Sequence, residues 1–86
     1  MAITLDQIEE AGQILGSSAT VRAAAALIRE RFAPLPALVL DAFDMRSESP
    51  ALQVQNRALF LMATDGHCWS VTGQLERASA FVLTQD

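Results

Sequence analysis

Lysine and tyrosine are missing from this 86-residue chain, and cysteine, histidine and tryptophan occur once each. With no lysine, the basic side chains apart from His67 are six arginines, set against ten carboxylates for a net charge of −4. That balance argues against nucleic acid and anionic membrane as partners, since both reward clustered positive charge. A lone Cys68 cannot close a disulfide within the chain, which agrees with a reducing compartment. A lone His67 makes any Ser-His or Cys-His mechanism depend on that one side chain. Long apolar runs are missing too. Ala23 to Ile28 is among the longest, far short of the roughly 20 residues that span a bilayer. The first residues, Met1-Ala-Ile-Thr-Leu-Asp6, lack a positive segment followed by an apolar one, so no secretory signal is expected and the cytoplasm is the expected location. There is no glycine-rich phosphate loop, and no cofactor is expected.

What is present describes one compact domain over residues 1–86. The chain is 51% hydrophobic and 19% charged, a composition that can bury a core and does not fit disorder driven by charge. The first helix is expected over about residues 5–15. Thr4 with Gln7 makes a capping box, Ile3 with Ile8 a hydrophobic staple, and Leu5, Ile8, Ala11 and Leu15 an apolar stripe. Gly16 suits the left-handed position that ends a helix. Ser18 or Thr20 then caps a second helix, expected over about 20–32 and stopped by Pro34 and Pro36. Its alanine run, Ala23 to Ala26, permits close packing, and its arginines face the acidic first helix as a helical hairpin. Ala37 to Phe43 reads as a strand buried on both faces for part of its length. Leu52 to Gln55 alternates like a short strand, 73–78 reads as a turn with one helical turn, and Ser79 to Thr84 as the closing strand. The expected fold is α+β, with both helices packed on a three- to four-stranded antiparallel meander.

Within that meander, Asp65-Gly66 suits a two-residue hairpin turn. Such a turn pairs Thr64 with His67, Ala63 with Cys68, Met62 with Trp69, Leu61 with Ser70 and Phe60 with Val71. Phe60, Met62, Trp69 and Val71 then share one face, and Leu59, Leu61, Ala63 and Cys68 the other. The second set, with Ala80 or Val82, is more apolar than a solvated face should be. Either the helices divide between the two faces, or that face is an interface with a partner or a second copy. The candidate interface is therefore Leu59, Leu61, Ala63 and Cys68, with Ala24 and Leu27 of the alanine-rich helix.

Individual side chains give weaker signals. His67 and Cys68 invite a metal or nucleophile reading, but neighbours on a strand point to opposite faces and cannot converge on one ion. Asp41, Asp44 and Glu48 with Arg46 gather in one loop, without the spaced oxygen ligands and glycine of a calcium loop. Trp69 reads as a core anchor. The tandem helices also suggest a helix-turn-helix with Arg22 near the start of its second helix, although alanine fills most of the surface that would read bases.

Asp41-Ala-Phe-Asp-Met-Arg46 and His67-Cys-Trp-Ser-Val-Thr72, with the Ile8-Glu-Glu-Ala-Gly-Gln-Ile-Leu-Gly16 helix ending and the alanine-rich second helix, carry a resemblance across nearly the whole chain. The sequence resembles a family of small proteobacterial proteins of unknown function, some encoded among nitrogen-fixation genes. The resemblance implies a cytoplasmic accessory role near nitrogenase or its maturation, and no catalytic residue. The expected function is a non-enzymatic interaction domain, as a homodimer or a subunit of a larger assembly. The alternatives are a small DNA-binding regulator and a metal-binding or enzymatic protein that uses the His67/Cys68 region.

Overall fold

A computed structural model describes residues 3–64 and 68–86. Helix α1 spans Leu5–Ser17 and α2 Val21–Arg31; the strands are β1 Ala37–Val39, β2 Leu52–Val54, β3 Arg57–Thr64, β4 Trp69–Val71 and β5 Ala80–Gln85, with a 3-10 turn at Leu75–Arg77. The fold is α+β, two helices followed by a mixed five-stranded sheet. Local signals set both helix starts. Thr4 accepts from Gln7 N while the Gln7 side chain accepts from Thr4 N at 2.8 Å, and Thr20 accepts from Ala23 N at 3.0 Å. Each such cap satisfies N–H groups that the first turn leaves without a partner, a contribution of about 1 kcal/mol.

The helix ending differs from the expectation. Helix α1 runs through Gly16 to Ser17, and Ser18 caps it with φ −82°. Gly16 is instead a packing residue. A Cβ there would lie 2.8 Å from Val54 Cγ1, and one on Gly12 would collide with Leu52 Cδ2. Gly12 and Gly16 lie four residues apart on one helix face, which lets β2 approach the helix closely. Helix α2 runs back along α1, where Arg31 pairs with Glu10 at 2.5 Å between exposed side chains. That pair contributes little, on the order of 0–1 kcal/mol.

The sheet order is β1-β5-β3-β2, with β4 also on β3. The expected meander is therefore modified: β1 runs parallel to β5, and only the other pairs are antiparallel. Strand β5 lies in the middle, where its apolar run Ala80-Phe-Val-Leu83 is buried on both faces. Met62 pairs with both Ala80 and Val71, so β2 and β4 lie end to end along the edge of β3 that faces away from β5. The tight hairpin is β2–β3, not β3–β4. Val54 pairs with Arg57, and Gln55 in the two-residue loop takes φ 57°. In the other hairpin Thr64 pairs with Trp69, Ala63 with Ser70 and Met62 with Val71. The expected pairs of Ala63 with Cys68, Met62 with Trp69 and Leu61 with Ser70 are thereby shifted by two residues. Asp65, Gly66 and His67 lie outside the described residues.

A shift of two residues preserves which strand positions share a face. Leu59, Leu61, Phe81 and Leu83 meet Ile8, Ala11 and Leu15 of α1 and Ala24, Ala25 and Ile28 of α2 in the main core. Both helices thus cover the face that was expected to need a partner. Ala80 and Val82, at the registers of Met62 and Phe60, lie on the other face. Arg57 ties the helical layer to the sheet. Its Nη1 donates to the carbonyls of Leu15 and Ser18 at 2.7 and 2.8 Å, its Nη2 to Ala19 at 3.1 Å, and its Nε to Gln85 Oε1 at 3.2 Å.

Two stability measurements follow from this packing. With native Leu52, the helix-propensity gain of Gly12→Ala is cancelled or reversed by the collision; in a Leu52→Ala background the same change stabilises by about 1 kcal/mol in urea unfolding. Equal effects in both backgrounds would contradict the close approach. Gln55→Gly is expected to raise stability by roughly 0.5–1 kcal/mol, because glycine adopts the left-handed conformation without a Cβ penalty.

Candidate functional site: the helix-free face of the sheet

Strand β1 lies on one edge of the sheet and β2 at the other, so the chain between them must cross a face. The helices occupy one, and residues 40–51 cross the other. Successive backbone bonds, Asp44 N to Asp41 O, Met45 N to Ala42 O, Arg46 N to Phe43 O and Glu48 N to Met45 O, wind this segment into consecutive turns. The winding drops Met45 onto Phe60 and Val82 in a second, smaller core, which Ala58, Met62 and Val71 flank. Around Met45 several large apolar side chains stay exposed. Leu38 is 48% exposed, Phe43 66% and Trp69 51%, with Leu40 also exposed. Leu38 lies at the register of Val82 and Phe60, and Trp69 at the register of Thr64, two residues beyond Met62 on the same face.

The loop's polar candidates shape this surface. Asp41 Oδ1 accepts from Phe43 N at 2.9 Å. Arg46 Nη1 donates to the Phe43 carbonyl at 3.0 Å, and its guanidinium lies 3.9 Å from the Phe43 ring centroid. Asp41 and Arg46 thus fix the turn that presents Phe43, a short polar chain turning its own backbone. Asp44 is exposed on the same loop.

The residues expected to form an interface are dispersed. Leu59, Leu61 and Ala24 are core residues under the helices; Ala63 is half-buried opposite Ser70; Cys68 is exposed and precedes β4 instead of pairing with Ala63; and Leu27 is 50% exposed on the outer side of the helical layer. His67 lies outside the described residues. Among the described residues, no three or more His, Cys, Asp or Glu side chains gather as a metal ion requires. Trp69 is half exposed, not a core anchor. Sequence reasoning missed Leu38, Leu40 and Phe43 because an apolar run looks the same whether one face or two is buried. The extra signal was the polar, turn-forming stretch after Phe43, which shortens the strand to Ala37–Val39.

A cleft of about 550 Å³ opens beside this face, between the start of α1, residues 47–51 and the segment after β4, with Leu5, Glu48, Thr72 and Leu75 among its walls. No family model, curated protein or solved structure matches the chain. Among the described residues no helix is long and apolar enough to cross a membrane.

Trp69 is the chain's one tryptophan, so its fluorescence reports on this face alone. Emission in the range of a hydrated indole and ready quenching by acrylamide are expected in dilute solution; a blue-shifted, protected signal would show that the hairpin register is different.

Proposed function

We propose that the chain is a non-enzymatic protein-interaction domain and that its contact surface is the helix-free face of the sheet. The observation that carries this reading is the set Leu38, Leu40, Phe43 and Trp69, exposed on or beside one face whose centre is already apolar. Single exposed apolar residues are ordinary, but several around a shared apolar floor mark a binding surface. Trp and Arg are also the residue types that most often anchor interfaces, and here Arg46 stacks on an exposed Phe43. The partner that fits is another folded protein presenting an apolar surface, and the resemblance noted in the sequence favours a protein of nitrogenase assembly.

The test uses two substitutions that leave the main core untouched, Phe43→Ser and Trp69→Lys. The tagged native chain should retain a partner in stoichiometric amount, and both variants should lose it while keeping the native melting temperature. Retention of the same partner by both variants would remove the face from the account, and a native chain that retains nothing would remove the reading.

A further inference from the structure

The connection from β1 to β2 does not lie flat on the sheet. Between the sheet and the loop that carries Met45 and Arg46 lies a cavity of about 270 Å³. Register builds its floor: Gln53 pairs with Ala58 and Ala58 with Thr84, so the three form one row across β2, β3 and β5. Ala58 is the small member of that row, and it makes the hollow. Thr84 is the one polar side chain that is buried among the described residues, at 4% exposure, and no hydrogen bond to those residues holds its hydroxyl. A buried hydroxyl in that state gains from a polar ligand in the cavity. Two opposite charges also line the cavity, Arg46 and Asp86, and they form no ion pair with each other. Arg46 Nη1 donates to the Phe43 carbonyl at 3.0 Å, which leaves its Nε and Nη2 as donors. Asp86 is fixed by Asn56, whose Nδ2 donates to the Asp86 main-chain oxygen at 3.0 Å and whose carbonyl accepts from Asp86 N at 2.8 Å. The Asp86 carboxylate and Asn56 Oδ1 remain as acceptors.

We propose that this cavity binds a small zwitterion, a free α-amino acid with a small uncharged side chain. Arg46 takes the carboxylate, which its planar guanidinium matches in geometry. Asp86 and Asn56 Oδ1 take the ammonium group. The Thr84 hydroxyl and the Gln53 amide can each donate or accept, and they meet the polar groups that remain. The side chain of the ligand rests on Ala58. Charge selects this class. An anion alone would face the carboxylate of Asp86 and a cation alone the guanidinium of Arg46, whereas a ligand that carries both charges satisfies both. Size agrees, because the cavity is smaller than the roughly 300–1,000 Å³ of sites for drug-sized ligands, too small for a nucleotide. Apart from Arg46, the groups of this site are not those of the proposed contact surface, so it stands or falls separately from the partner proposed above.

The experiment is a titration of the isotope-labelled native chain, followed by amide chemical shifts, with glycine, L-alanine, L-serine and L-threonine, and with acetate and methylammonium as the two halves of the ligand. At least one of the amino acids should shift the Gln53, Ala58 and Thr84 signals along a saturating curve, and should bind at least about tenfold more tightly than either half. Asp86→Asn removes one charge at an exposed position with little change of shape. It should weaken the amino acid by at least about tenfold and leave acetate no weaker. Ala58→Leu fills the hollow without touching a charge and should abolish the saturating shifts; if it folds poorly, Asp86→Asn carries the test. No saturating shift at these residues up to about 10 mM, a range that reaches weak sites, overturns the proposal. So do halves that bind as tightly as the whole, or an Asp86→Asn variant that binds as the native chain does.

Discussion

Arg57 is where the separate parts of this fold are joined. Its guanidinium reaches three carbonyls at and just beyond the end of α1 while its Nε bonds Gln85 at the end of β5. A cation among the last carbonyls of a helix satisfies acceptors that have no intrahelical donor and complements the negative end of the helix dipole. Because Arg57 opens β3, it also fixes where the helical layer lies along the sheet. The glycine face of α1 does the rest, since Gly12 and Gly16 admit Leu52 and Val54 where any larger residue would hold β2 away.

From that constraint the exposed surface follows. With both helices held over Leu59, Leu61, Phe81 and Leu83, the connection from β1 to β2 has only the opposite face to cross. It covers that face in part, through Met45, and leaves Leu38, Phe43 and Trp69 in solvent. The helical layer and the open face are thus two results of one arrangement. The proposed contact surface and the proposed cavity site both lie on the face that the helices leave uncovered.

The legible parts of the sequence were those written in neighbouring residues. Thr4 with Gln7 and Thr20 with Ala23 are contacts within one turn, and the apolar run from Ala58 to Ala63 beside a turn signal needs no distant partner to be read as a strand. Gly16 was misread because glycine serves two purposes, a left-handed helix end and a close approach, and only the position of Val54 decides between them. The parallel pairing of β1 with β5 joins the middle of the chain to its end, and no local pattern encodes it. The tight hairpin was sought at Asp65-Gly66, where turn chemistry is strong; it formed at Gln55-Asn56, whose bonds to Asp86 compensate a strained backbone. For the candidate site, the face was legible as a set of residues, but which face the helices would cover was not, since both were apolar.

The claim on which all of this depends is that Arg57 anchors the helical layer, and urea unfolding of Arg57→Met tests it most directly. Methionine keeps the apolar stem and removes the donors. A loss of about 2–3 kcal/mol is predicted, as expected when half-buried carbonyls lose charged hydrogen bonds. A loss below roughly 0.5 kcal/mol, the ordinary effect of a surface change, would contradict it.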